Sequence, residues 1–202
     1  INKLNNIHTD NNYLAHRIKE KVIVNKLAYY LFTKKHKEGV AYIDKIEKEL
    51  IENEMLFNNS FFIASLDSFT MLYFLVGEYS KSLKWVNFIL GYKNIMRSDI
   101  QCFAKVLNLM IHYELKNYDH LEYILKSTEN FLTKNNSFDS YHKLIVRFFK
   151  TILRETNVQE IKKKFKELSK ALAVLENAEA EKVMFQLFNF REWAEKKEKT
   201  LH

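Results

Sequence analysis

No proline occurs in the 202-residue chain, and only three glycines do. Tight hairpins and sheet corners need residues that adopt positive φ or that hold φ fixed, so a β-rich fold of this length consumes many Gly and Pro. Their near absence points to long helices joined by short polar turns, an all-α chain. The rest of the composition agrees with a folded chain: 47% hydrophobic and 28% charged residues, with 16 Phe, 11 Tyr and 2 Trp to fill a core.

Apolar residues recur at helical spacing almost throughout. Leu14, Ile18, Val22, Leu27 and Leu31 outline a first helix, with Asp10 or Asn11 as its N-cap. A break at Lys35-His36-Lys37 precedes a second marked by Val40, Ile43, Ile46 and Leu50. The stretch NNS at 58–60 opens a third, GEY at 77–79 turns it into a fourth, and Gly91 is expected to end that one in the left-handed region. Ser98 with Gln101 has capping-box spacing at the start of the next helix, and Asn157 is the expected cap of a later one. This periodicity predicts roughly nine helices of about 15–24 residues. They form a single helical-repeat domain over 1–202, with hairpins at 11–54, 58–92, 97–134 and 138–175 and a C-terminal capping helix at 178–197. In that last helix Phe185, Leu187, Phe188 and Trp193 precede a polar tail; an exposed aromatic ridge for docking is the alternative to a cap.

Three segments superimpose: YLFTKKHKEGVAYIDKI from Tyr30, YFLVGEYSKSLKWVNFI from Tyr73 and HYELKNYDHLEYILKST from His112, at offsets of 43 and 39 residues. Each begins with an aromatic or His, turns four to six residues later, and opens its second helix with a small or apolar residue at Gly39, Ser82 or Leu121. A period near 40 residues with two helices per unit is that of an α-solenoid. The middle segment resembles the tetratricopeptide repeat, in which an aromatic, a turn glycine, a tyrosine and a small residue lock two antiparallel helices. On that resemblance Tyr73, Gly77, Tyr79 and Ser82 take these places. The proline that usually follows the second helix is absent, and Lys116 stands where the turn glycine belongs. Residues 69–133 and 185–197 further resemble an uncharacterised tetratricopeptide-like family of Bacteroidetes proteins. Gly77, Tyr79, Asp99, Ala104, Leu107, Asn108, His112, Tyr113, Glu114, Asn117, Tyr118, Leu121, Tyr123 and Trp193 fall on its pattern, and Lys105 replaces its Arg. The resemblance implies antiparallel helical hairpins stacked as a right-handed α-solenoid and brings no activity with it. Because members are longer and the chain begins at Ile1, it is expected to be the C-terminal part of a longer protein.

The formal charge is +7, which raises the question of nucleic acid. The excess is spread evenly, as +2, +2 and +3 over residues 1–54, 55–149 and 150–202. A nucleic-acid binder concentrates Lys and Arg on one face. The densest run, Lys162-Lys163-Lys164 with Lys166, is interleaved with Glu160 and Glu167, as on a solvated helix face. Nucleic acid is therefore the weaker partner and a protein the stronger. Charges are denser in the two flanks than in the middle segment, as expected where inner repeats are covered on both sides. The lone Cys102 lies in an apolar run and reads as a small core residue. No apolar run approaches the ~18–20 residues of a membrane span, and a cytoplasmic location is expected.

Catalytic patterns are missing: there is no Walker loop, no dinucleotide fingerprint and no H-E-x-x-H. Asp139-x-x-His142 is the nearest approach to a metal motif, and a di-iron bundle needs such motifs in pairs. No cofactor and no metal are expected. One constellation remains. Arg97, Gln101, Lys105, Asn108 and His112 recur at spacings of 4, 4, 3 and 4 and share one helix stripe, opposite Phe103, Val106, Met110 and Tyr113. Asn108 and His112 read first as groups that bond neighbouring helices, through Glu114, Asp119, Tyr123 or backbone carbonyls. Arg97, Gln101 and Lys105 are candidates to line a groove and grip an acidic group. The expected function is a non-catalytic scaffold that binds a peptide or helix of a partner protein. The alternatives are a nucleic-acid-binding helical repeat and, third, an accessory domain of an enzyme.

Overall fold

A computed structural model describes residues 12–92, 98–134, 140–177 and 188–201. Among them are nine α-helices and no strand, so the fold is all-α as composition predicts. The helices run from 11 to 21 residues, shorter than expected at the lower end. The chain divides into two compact units, residues 1–104 and 105–202.

The first unit holds α1 (Asn12–Phe32), α2 (His36–Glu52), a 3-10 turn (Glu54–Leu56), α3 (Asn59–Leu75) and α4 (Tyr79–Gly91). α3 packs against α1, α2 and α4. That position follows from its sequence, which is apolar on every side: Phe62, Leu66, Phe69 and Leu72 are all fully buried. Asn58 caps α3, its side-chain oxygen accepting the Ser60 N–H at 2.9 Å. The buried Glu20 of α1 then ties that cap down. One of its oxygens accepts the Asn58 N–H at 2.8 Å and the other the Arg17 guanidinium at 2.6 Å. A carboxylate taken out of water is tolerable only with such partners. Gly39, near the start of α2, lets two helices close in. A Cβ there would sit 2.8 Å from Leu72 and 2.9 Å from Tyr30.

The second unit holds the later turns of α5 (Ser98–Glu114), then α6 (Tyr118–Lys134), α7 (Ser140–Ile152), α8 (Val158–Glu176) and α9 (Phe190–Thr200). α6 packs on α7, α7 on α8 and α8 on α9. Its core is an aromatic cluster. Tyr113 of α5 lies 5.9 Å from Phe149, 5.8 Å from Phe165 and 6.3 Å from Trp193, ring centre to ring centre. Phe148 and Phe165 are 4.7 Å apart beside them. Edge and tilted contacts of this kind add to simple area burial. Glu114 fastens α9: its carboxylate accepts the Trp193 indole N–H at 2.7 Å and the Lys197 ammonium at 2.6 Å. Phe188, Phe190 and Trp193 are buried, so no exposed aromatic ridge forms from them. The expected helix start at 178 and Phe185 and Leu187 lie outside the described residues.

Local signals hold at several ends and fail at two, since Ser98 lies inside its helix and does not cap it. Asn157 caps α8 by accepting the Gln159 N–H at 2.9 Å, and Asn189 caps α9 by accepting the Glu192 N–H at 2.8 Å. Ser98 is the first helical residue of α5, while Asp10, Asn11 and Arg97 lie outside the described residues. Gly91 does not adopt positive φ. It is the last helical residue of α4, and the chain leaves through Tyr92 in the extended region, whose hydroxyl donates to Glu54 at 2.8 Å. That side-chain bond fixes the exit, so no left-handed residue is needed there.

Three residues of the hairpin turns do have left-handed backbones: Lys34 at φ +56°, Gly77 at +85° and Lys116 at +58°. Their separations repeat the 43- and 39-residue offsets read from the sequence. At the α3–α4 turn, the Glu78 N–H donates to Tyr73 C=O at 2.9 Å and the Gly77 N–H to Phe74 C=O at 3.0 Å. At the α5–α6 turn, Asn117 donates to His112 at 2.9 Å and Lys116 to Tyr113 at 3.1 Å. Both are Schellman turns, which satisfy the last carbonyls of a helix as the chain reverses.

Candidate functional site

The polar stripe of α5 is only partly open to solvent. α5 is buried on most of its circumference, with Val106, Leu107, Leu109, Met110 and Ile111 all inaccessible. Arg97 lies outside the described residues. Gln101 is half-buried and belongs to the first unit. Lys105 is half-buried in the second: its ammonium donates to the Ser127 hydroxyl at 3.3 Å and lies 5.5 Å from the centre of the Phe131 ring. Burial holds its pKa below the ordinary lysine value. Asn108 is 6% exposed, and its side-chain oxygen finds no hydrogen-bond partner among the described residues. His112 is half-buried, its Nδ1 3.4 Å from the Asn117 amide nitrogen. Burial, and then His120, hold its pKa below the ordinary histidine value, which favours the neutral ring.

The partners differ from those anticipated. Glu114 is committed to Trp193 and Lys197, Asp119 is exposed, and Tyr123 is 79% exposed. None of them serves Asn108 or His112; Asn117, at the end of the same helix turn, serves His112 instead. Lys105 and His112 thus sit in separate small contacts on one helix.

Most residues of the repeat pattern pack against neighbouring side chains. Tyr73 is buried, with its hydroxyl 3.3 Å from Asp44, and burial raises its pKa. Ser82 is fully buried and donates to the Thr70 carbonyl at 2.8 Å. Tyr79 meets Phe74 edge-on at 5.3 Å, and Tyr118 meets Tyr113 in the same way at 5.9 Å. Leu121 is fully buried. Cys102 is buried, as its apolar run suggests. His142 is buried too, while Asp139 lies outside the described residues. Among the described residues no three His, Cys, Asp or Glu side chains gather as a metal ion would require. No described helix is long and apolar enough to cross a membrane.

The second unit contains a concavity that the stripe does not predict. A cleft of about 630 Å³ opens where the α5–α6 turn faces the α7–α8 turn. Its floor is apolar, formed by Tyr113, Ile152 and Ile161. Its rim carries Asp119 and Glu122 from α6, Glu155 from the α7–α8 turn, and the half-exposed Tyr118. Glu155 is held in place by the N–H groups of Thr156 and Asn157, each 3.0 Å from one carboxylate oxygen. Asp119 and Glu122 make no ion pair among the described residues. An apolar floor with three carboxylates and a tyrosine edge suits a cationic, partly aliphatic group. Sequence reading missed this set because Glu155 lies over thirty residues beyond Glu122, and only the packing of α6 on α7 brings them to one opening. The one local signal was Asp119 and Glu122 three apart, on one face of a helix.

No family model, no curated protein and no solved structure matches the chain.

Proposed function

We propose that the chain is a non-catalytic protein-interaction scaffold, built of tetratricopeptide-like hairpins in an α-solenoid, that binds a peptide or helix of a partner protein. The observation that carries this reading is the repeated hairpin turn. Three left-handed residues recur at offsets of 43 and 39, each between two helices, and two of the turns share one hydrogen-bond pattern and one kind of aromatic pair, which supports the repeat reading. Such repeats bury their cores between neighbours and leave side-chain grooves for extended or helical ligands. The step from fold to function is analogy, supported by a cleft that mixes apolar and charged lining in the size range of about 300–1,000 Å³ typical of binding sites.

Panning a random peptide library displayed on phage against the immobilised chain tests the reading. Enrichment of related sequences that compete with one another for the soluble chain is the expected result. A library that yields nothing above bare matrix, at both low and moderate salt, overturns it.

A further inference from the structure

We infer that the cleft rimmed by Asp119, Glu122 and Glu155 receives a basic side chain, arginine or lysine, from a peptide segment of a separate partner protein. The inference rests on the scaffold reading and names the chemistry of the partner.

Charge complementarity chooses the occupant. The chain as a whole is basic, at +7, yet this concavity is rimmed by carboxylates. Several exposed acids elsewhere in the molecule are matched: Glu160 pairs with Lys163, Glu52 with Lys48, Glu78 with Lys81. Asp119 and Glu122 are not, among the described residues. Even the nearest buried acid, Glu114, is already occupied by Lys197 and Trp193 and offers nothing to the cleft. Among the described residues the cleft therefore presents negative charge without an ion-pair partner, in a chain with a surplus of lysine.

Shape narrows the choice further. The aliphatic stem of Arg or Lys can lie on Ile152 and Ile161 while the cationic head reaches the rim. A guanidinium can meet a carboxylate with two parallel hydrogen bonds and stack on the Tyr118 edge of the opening, so arginine fits better than lysine. Glu155, already positioned by two backbone N–H groups, loses little freedom on binding. An acidic peptide or the phosphates of a nucleic acid would be repelled at this opening.

The test uses the full chain and a fluorescein-labelled twelve-residue peptide of alternating Arg and Ala, read by fluorescence anisotropy at about 20 mM and about 150 mM salt. Saturable binding is expected, weaker for the Lys version and absent for the Glu version. Asp119→Asn with Glu122→Gln should weaken it by roughly tenfold or more. Glu160→Gln with Glu167→Gln, which removes two acids from α8 outside the cleft, should change it little. Equal losses in the two double variants, or no binding of the Arg peptide by a folded wild-type chain, overturn the inference. If the Arg peptide fails while phage panning still enriches other sequences, the basic occupant is wrong and the scaffold reading stands; if both fail, both fall. Sedimentation showing a dimer that dissociates in the Asp119→Asn, Glu122→Gln variant would assign the cleft to a second copy of this chain and overturn the separate partner.

Discussion

The α3–α4 and α5–α6 turns reverse the chain with the same backbone, yet one is built on glycine and the other on lysine. Gly77 has φ +85° and Lys116 φ +58°, and each turn closes with the same two hydrogen bonds to its preceding helix. An L-residue in the left-handed region costs about 1–2 kcal/mol, so Lys116 is strained where Gly77 is not. Its neighbours compensate. Both turns latch an aromatic residue of the first helix against a tyrosine that opens the second, Phe74 with Tyr79 and Tyr113 with Tyr118. The turn is thus specified by what lies on either side of it, and glycine is the residue that makes it cheapest. The two hairpins then diverge one turn later. Ser82 in the first is a small polar residue hydrogen-bonded to a carbonyl, whereas Leu121 in the second is a large apolar one, and both are fully buried.

The largest effect should come at that diverging position. Leu121→Ala is expected to destabilise the chain by about 2–5 kcal/mol, because a fully buried leucine leaves a cavity as well as lost burial. Ser82→Ala removes a single buried hydrogen bond, and its cost should be near 1 kcal/mol. Urea unfolding followed by far-ultraviolet circular dichroism measures both. If the two substitutions cost the same, the hairpins use this position alike despite their different residues.

A smaller, reciprocal effect is expected at the turns themselves. Gly77→Ala should destabilise by about 1–2 kcal/mol, with the cost arising in the backbone alone. A Cβ at Gly77 would meet nothing within 4 Å, so crowding contributes none of it. Lys116→Gly should stabilise by up to about 1 kcal/mol, since relief of the left-handed strain is offset by the greater entropy of an unfolded glycine. A Lys116→Gly chain less stable than wild type would mean that the lysine side chain contributes to the turn.

Much of this arrangement was legible in the residues. Zero proline and three glycines pointed to helices, and the offsets of 43 and 39 marked the three turns in which Lys34, Gly77 and Lys116 have positive φ. Asn58 and Asn157 announced their caps because an Asx N-cap is a local device. Gly91 misled for the complementary reason: its helix ends on a bond between Tyr92 and Glu54, 38 residues away, which no local pattern records. Gln101, Lys105, Asn108 and His112 of the stripe do lie on α5, but helical spacing cannot say how many sides of a helix are covered. Only the packing of Tyr113 and Glu114 of α5 against α7, α8 and α9 reveals how little of its second half meets solvent. The cleft was invisible for the same reason, since its two walls come from different hairpins.

The smallest expected effect separates the two turns by pH. The residue whose carbonyl accepts the closing bond from five residues further on is Tyr73 in the first and His112 in the second. Burial raises the Tyr73 pKa, so that turn carries no titration through this position near neutrality. His112 has its pKa lowered from the ordinary 6.5, chiefly by burial and then by His120 of α6. A folded-state pKa below the unfolded one means that the folded chain binds fewer protons. The stabilising contribution is therefore fully present above the unfolded value near 6.5 and is lost as pH falls through the lower folded value. Protonation would also remove the acceptor that Nδ1 offers to Asn117. Comparing urea midpoints at about pH 7.5 and about pH 5 should show wild type losing more stability than His112→Gln across that interval. The two proteins differ only at position 112, so the difference between the two losses isolates His112. An identical loss in the variant would place the pH sensitivity elsewhere and leave the two turns alike in this respect.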